Sequence, residues 1–332
     1  MKKSPARALG AIIATAALAL TACGSGGTQT SGSTPAAGGA DKEYRIGITQ
    51  IVAHPSLDAS REGFKKAIAD AGLKATYDEN NAQGEQATAT SIAGKLNTGN
   101  FDLILAIATP TAQATAQVVT NKPVLFTAVT DPVAAQLVDS NEKPGANVTG
   151  TNDMNPVADQ IKLIKRIKPE AKTVGIIYSS GEVNSAVQVE AAKAAAQAEG
   201  LTVEEKTITN TGEVAQAAAS LNTDAIYVPT DNNVVSGLAA VVQVAEQKKI
   251  PLIVGEGDSV KGGGLATIGI DYEKLGYQTG EMAVRILKDG ANPADMPVES
   301  QKEFVTTINT KAAERMGVEL PADLVAEATD VG

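Results

Sequence analysis

The sequence predicts an α/β protein of two Rossmann-like lobes, each built on a parallel sheet, joined by a hinge that the chain crosses three times. Three observations lead there. From Tyr44 onward, short β-type runs alternate with long Ala-rich helical stretches, the pattern of parallel strands covered by right-handed crossover helices. The alternation occurs twice. The chain has 332 residues, 43% of them hydrophobic, enough for two domains with buried cores.

In the first half, residues 45–49, 102–108 and 124–129 read as strands because each is a short, mainly apolar run, and 57–71, 86–98 and 110–120 read as helices. The order returns with strands at 174–178, 224–229 and 252–254 and helices at 184–199, 212–221 and 234–249. One shift carries Arg45-Ile-Gly-Ile onto Thr173-Val-Gly-Ile, Gly72 onto Gly200, and Lys122-Pro-Val-Leu-Phe onto Ile250-Pro-Leu-Ile-Val. With a slightly different shift, Asp102-Leu-Ile-Leu matches Asp224-Ala-Ile-Tyr. Two similar lobes place a cleft between them, outside the carboxyl ends of both sheets. The last section does not repeat: 266–272 leads into a helix at 275–287 and a final strand near 304–308. The expected division is 44–152 with 272–298 for one lobe and 153–271 with 299–332 for the other.

The N-terminus reads as an address. Lys2, Lys3 and Arg7 precede an apolar run, 8–20, that is too short to span a bilayer, and Leu20-Thr21-Ala22-Cys23 follows. That tetrapeptide resembles a bacterial lipobox, so 1–22 is expected to be a cleaved signal peptide and Cys23 the lipidated residue. A secretory leader with an incidental cysteine is the alternative. Residues 23–43, rich in Gly, Ser and Thr, then form a flexible tether holding the body outside the cytoplasm, on the outer face of the membrane.

Composition removes other classes. Six Tyr, four Phe and no Trp are too few for a base-stacking or sugar-stacking platform. A net charge of −10 has the wrong sign for binding a phosphate backbone, so no nucleic acid is expected. One His and one Cys exclude a Cys/His zinc site and an intramolecular disulfide. No nucleophile elbow, P-loop or strand-linked Gly-x-Gly-x-x-Gly occurs, and a Ser-His-Asp triad would have only His54 to draw on. The chain therefore reads as a non-enzyme without cofactor or metal.

Several segments carry a family resemblance: IGITQIVAHPSLDASREGF, DLILAIATPTAQA, PVLFTAVTDPV, PGANVTGTND, TVGIIYSSGEVNS, DAIYVPTDNNVVS, IPLIVGEGDSV and IGIDYEKLGYQTG. Together they resemble the substrate-binding proteins of ABC transporters, in particular those for tryptophan and other aromatic amino acids. The resemblance implies the type I periplasmic-binding-protein fold, closure of two lobes on a ligand, and a permease and ATPase on separate chains. It leaves branched-chain amino acids, sugars, purines and nucleosides open as cargo.

Candidate ligand contacts follow from the turns after the strands. Thr109-Pro110 and Thr130-Asp131-Pro132 look like N-caps followed by Pro at the first helical position, which would aim free N–H groups into the cleft. Thr109 is expected to meet a ligand carboxylate, or merely to cap. In the second lobe Asp231, Asn232 and Glu256 occupy the matching turns, where Asp231 is the first candidate for a ligand ammonium. Asn184 opens one helix, His54 precedes another, and Gln50, Asp271 and Tyr272 lie at strand ends. A surface enzyme using paired carboxylates such as Asp231 and Glu256 is the rival from another class.

Overall fold

The computed structural model describes residues 42–332; the expected signal peptide, Cys23 and the tether up to residue 41 lie outside the described residues. The first lobe runs β1 (Glu43–Gln50), α1 (Pro55–Asp70), β2 (Lys74–Asn81), α2 (Gln86–Thr98), β3 (Leu103–Ile107), α3 (Thr109–Val118), β4 (Val124–Val129) and β5 (Val148–Asn152). Crossing over, the chain forms α4 (Val157–Ile167), β6 (Thr173–Ser179), α5 (Val183–Ala198), β7 (Thr202–Ile208), α6 (Val214–Ser220) and β8 (Ala225–Val228). The second lobe continues through α7 (Asn232–Ser236), α8 (Leu238–Lys248), β9 (Leu252–Val254), α9 (Gly257–Lys261) and β10 (Ala266–Gly269). The return to the first lobe brings α10 (Tyr272–Asp289) and β11 (Glu299–Ser300), and the last passage gives β12 (Val305–Ile308), α11 (Thr310–Met316), α12 (Ala322–Glu327) and β13 (Thr329–Asp330).

One sheet has the order β11-β5-β4-β3-β1-β2, the other β13-β12-β10-β9-β8-β6-β7. The two orders match strand for strand from β5 to β2 and from β10 to β7, and only the β10–β12 pair is antiparallel among the described pairings. Central strands such as β3, β4 and β8 are buried at every position, as a sheet covered on both faces requires. The outer strands β2 (KATYDENN) and β7 (TVEEKTI) alternate in exposure and carry charges, which protects a sheet edge from pairing with another chain. Helices α1 and α5 both hand over to a glycine in the left-handed region, Gly72 (φ 73°) and Gly200 (φ 70°), where a side chain would be strained.

The three crossings are stitched together. Asn155 Oδ1 accepts from the Ile270 N–H at 3.0 Å. Gln301 accepts from the Asp271 N–H at 3.2 Å and donates to its carbonyl at 2.7 Å. Because β11 pairs with β5, residues 299–300 belong to the first sheet, so the last crossing follows Ser300 instead of preceding Glu299. Three local expectations need correction. The helix expected at 234–249 is broken at Gly237 into α7 and α8. Asp131-Pro132 opens a turn and no helix; Asp131 Oδ1 accepts from the N–H groups of Val133 (3.0 Å) and Ala134 (2.9 Å) and satisfies that turn. At α3, Thr109 is already helical and Ala108 is the N-cap.

Candidate functional site

Between the lobes, the turns at the carboxyl ends of the strands line a narrow cavity. The first lobe lines it with His54, Ser56, Leu57, Ala128 and Thr130. The second contributes Asn184, Thr230, Asn232, Val235 and Glu256, and Asp153 and Tyr272 come from the crossings. Six of these, Thr130, Asn184, Asn232, His54, Glu256 and Tyr272, are candidates from the sequence.

The first-lobe wall is built on the start of α1. Pro55 occupies the first turn and no side chain caps the helix, so its leading N–H groups have no side-chain partner. Ser56 is 1% exposed; its Oγ makes no hydrogen bond of ordinary geometry but lies close enough to the Glu256 carboxylate to pull that group's pKa down, and His54 Nδ1 is buried without a partner. Burial lowers the His54 pKa to about 4, so the imidazole is neutral at physiological pH. Ala108 (φ 81°) and Ala128 (φ 55°) hold left-handed backbone at the cavity ends of β3 and β4, a strained conformation for residues with a Cβ.

At the hinge, Asp153 is buried, and its Oδ2 accepts from the Tyr272 hydroxyl at 2.6 Å while Oδ1 accepts from Thr130 Oγ1 at 3.0 Å. Burial raises the Asp153 pKa against the pull of those donors. The Tyr272 hydroxyl is raised as well, first by burial and then by the Asp153 charge.

The second-lobe wall is a polar network. Asn184 Nδ2 donates to Glu182 Oε2 (2.9 Å) and to the Thr230 carbonyl (3.2 Å), while Asn184 Oδ1 is buried with no partner. Asn232 Nδ2 donates to the same Glu182 oxygen at 2.7 Å. Asp231 is fully buried and does not line the cavity. Its Oδ1 accepts from Val234 N (2.9 Å) and Ser179 Oγ (3.0 Å), and its Oδ2 from Ser179 N (2.5 Å) and Ser185 Oγ (2.6 Å). All its capacity is spent inside the lobe. Glu256 reaches the cavity but caps α9, accepting from Asp258 N at 2.7 Å and from Ser259; burial, more than the neighbouring Asp258 charge, raises its pKa.

The other sequence candidates lie elsewhere. Gln50 donates to the Val52 carbonyl (2.8 Å) and to Asp58 (2.9 Å), tying the first turn of the lobe. Asp271 caps α10 by accepting from Lys274 N at 3.1 Å and borders a separate groove with Asp258 and Lys261. Thr109 is buried and does not line the cavity, its Oγ1 lacking a partner. Asp153, Ser56, Leu57, Ala128, Thr230 and Val235 are cavity residues that the sequence reading did not single out as contacts. For Asp153 the available signal was its place directly after β5, at a crossing. Among the described residues, no group of three or more His, Cys, Asp or Glu converges as a metal site would require.

The lobes also touch each other. Gln188 on α5 donates to Thr230 Oγ1 at 2.7 Å within its lobe and to Thr130 Oγ1 at 3.4 Å across the cleft. The structure superposes on an L-Trp complex from Streptococcus pneumoniae with a TM-score of 0.84 at 39% identity, covering 87% of this chain and 99% of that one. Against the ligand-free, open structure of a substrate-binding protein with adhesive properties from Clostridium difficile, the TM-score falls to 0.66 although identity rises to 46%, with the same coverage. The better sequence match gives the poorer superposition, so the arrangement of the lobes here is nearer to that of the L-Trp complex than to that of the open structure. A curated relative, the tyrosine-binding protein of Clostridioides difficile strain R20291, is 46% identical over 274 residues, 81% of this chain and 79% of that protein.

These relatives are binding proteins and not enzymes, and their fold is the type I periplasmic-binding-protein fold seen here. The family model for ABC transporter substrate-binding proteins matches residues 45–332, and the chain belongs to that family.

Proposed function

We propose that the protein is an extracytoplasmic lipoprotein, anchored through Cys23, that captures a free aromatic amino acid and presents it in the closed form to the permease of an ABC importer. One observation supports the amino-acid reading: the interlobe cavity is lined both by buried acceptors, Asp153 and Asn184, and by the uncapped start of α1 with the Ser56 hydroxyl. The acceptors suit an ammonium; helix N–H groups and a hydroxyl suit a carboxylate. Leu57, Ala128 and Val235 leave an apolar flank for the side chain. The aromatic preference is supported by the two relatives whose names specify tyrosine and tryptophan.

Calorimetry of the purified protein against L-Tyr, L-Trp, L-Phe, L-Leu, adenine and adenosine tests the reading. Tight binding confined to Tyr or Trp is expected, and Asp153→Asn should weaken it about ten- to a hundredfold, the cost of losing one buried charge-assisted contact. Preference for Leu or a purine would overturn the aromatic assignment, and unchanged affinity in the Asp153→Asn variant would remove Asp153 from the ammonium site. Fatty-acid labelling tests the anchor: Cys23→Ala should lose the label.

A further inference from the structure

Glu182 touches none of the cavity, yet it decides what the cavity's second-lobe wall can recognise. It stands at the N-cap position of α5, 6% exposed, but its side chain does not cap the helix. Instead its carboxylate collects amide donors: Asn184 Nδ2 at 2.9 Å, Asn232 Nδ2 at 2.7 Å, Asn232 N–H at 3.3 Å and Asn233 Nδ2 at 3.3 Å. A carboxamide is two-faced, with a donor end and an acceptor end that a half-turn exchanges. Its environment alone fixes which end faces a ligand.

We propose that Glu182 is a positioning residue for ligand polarity: by holding the Nδ2 ends of Asn184 and Asn232 it presents their Oδ1 ends outward, making the second-lobe wall an acceptor surface selective for an ammonium over a carboxylate. The proposal rests on the amino-acid reading above. Asn184 supplies the second, independent observation. Its Nδ2 has three acceptors, Glu182, the Thr230 carbonyl and Ser185 Oγ (3.3 Å), all inside the lobe, whereas its Oδ1 is buried with no partner on a residue that lines the cavity. Asn232 also lines the cavity, with its side chain beside His54 of the opposite lobe. A neutral amide in the place of Glu182 can satisfy one asparagine only by offering its own N–H₂ to the other, which must then turn its donor end to the ligand.

The test is the ratio of dissociation constants for paired ligands, L-tyrosine with des-aminotyrosine and L-tryptophan with indolepropionate, measured by calorimetry on the purified protein. The wild type is expected to prefer the amine-bearing partner. Glu182→Gln should cut that preference about tenfold, mostly by weakening the amino acid and not the des-amino analogue. Adding Asn184→Asp should restore it, since the amide introduced at position 182 then donates to the carboxylate introduced at position 184 and leaves an oxygen facing the cavity. A merely structural role for Glu182 would lower both affinities together and gain nothing from the second substitution. Should Glu182→Gln not fold, Asn184→Ala answers the same question: loss of the amine preference supports an outward Oδ1, and an equal loss for both partners overturns it. A wild type without amine preference overturns the amino-acid reading and this proposal together, whereas a preference that survives Glu182→Gln and Asn184→Ala overturns this proposal alone.

Discussion

The two lobes share a strand order but not a way of building the wall that faces the ligand. In the first, the helix that opens on the cleft is uncapped, its flanking residues His54, Ser56 and Leu57 carry no charge, and two polar atoms there make no hydrogen bond of ordinary geometry. In the second, the matching turns are crowded with Glu182, Asp231, Asn232, Asn233 and Ser185, all buried and bonded to one another. One wall is backbone donors over a neutral surface; the other is a tied acceptor network. Duplicating a fold therefore gives two equivalent frames on which opposite polarities can be set, which is what a zwitterion needs.

The lobes also differ in how they are closed off. The helix following β5 crosses over and packs as α4 on α5, and the helix following β10 crosses back and packs as α10 on α1, so each lobe is finished by a helix from the other's strand. The first of these seams is looser than the second. A Cβ at Gly276 on α10 would lie 1.8 Å from the Ser60 carbonyl oxygen, and one at Gly63 on α1 would lie 2.0 Å from that of Glu273. Both α1 and α10 begin at the cavity, with Ser56 and Tyr272. Gly276→Ala must therefore push two backbones apart next to the site, and we expect a loss of about 3 kcal/mol, the upper part of the usual overpacking range. Thermal unfolding measures it; a variant within experimental error of the wild type would show that the seam yields freely.

Titration should separate the lobes next. His54, with its pKa lowered from 6.5 to about 4, is neutral when folded and protonates more readily when unfolded. Stability from this group is thus lost as pH falls from 6.5 towards 4. Glu182 moves the other way, raised by burial and then by the Asp231 charge, against the pull of its amide donors. The folded state holds its proton longer, so this contribution is complete below the unfolded value of 4.5 and is lost as pH rises above it and the carboxylate forms among its amide donors. The acid limb is worth about 3 kcal/mol by proton linkage. His54→Gln should flatten the acid limb of a stability–pH curve and Glu182→Gln the alkaline one. The assignment fails if either substitution flattens the opposite limb.

Asp231 and Thr109 stand at corresponding turns, and the sequence offered both as ligand contacts. For Asp231 the structure gives four donors within the lobe, so Asp231→Asn should cost about 1–2 kcal/mol of stability, since an amide N–H₂ then confronts the Ser179 N–H. The amine preference should survive. A variant of normal stability that loses the preference would instead put Asp231 at the ammonium.

These cases show what was legible. The repeat, the central strands and the position of the cleft came through because buried parallel strands are continuous apolar runs and because Gly72 and Gly200 mark the same helix end. Edge strands β2 and β7 did not, since Tyr77 or Val203 alternates with charged neighbours and leaves no run. Helix α4 hid for a related reason: Val157, Ile161, Ile164 and Ile167 sit at helical spacing among Lys and Arg. At the site, sequence places Thr130, Asn184, Asn232, His54, Glu256 and Tyr272 at cleft-facing turns. It does not say which acid is free, because Asp153, Glu182, Asp231 and Glu256 differ only in how many donors the fold supplies to each.

The smallest effect makes the sharpest contrast with Asp231. Thr109 Oγ1 is buried with no partner, so its hydroxyl has lost water and gained nothing in the lobe. Thr109→Val keeps the shape of the side chain and removes that unsatisfied group, a change that is nearly neutral or stabilising where no bond is lost. We expect stability to change by less than about 0.5 kcal/mol or to rise slightly, and affinity for the amino acid to stay within about twofold. Calorimetry and thermal unfolding on one preparation read both. The helix N–H groups of α3 survive the substitution, so only a direct contact through the hydroxyl would be lost. An affinity loss of tenfold or more at unchanged stability would place the Thr109 hydroxyl on the ligand carboxylate after all, and would make the two corresponding turns partners across the cleft, one for each end of the zwitterion.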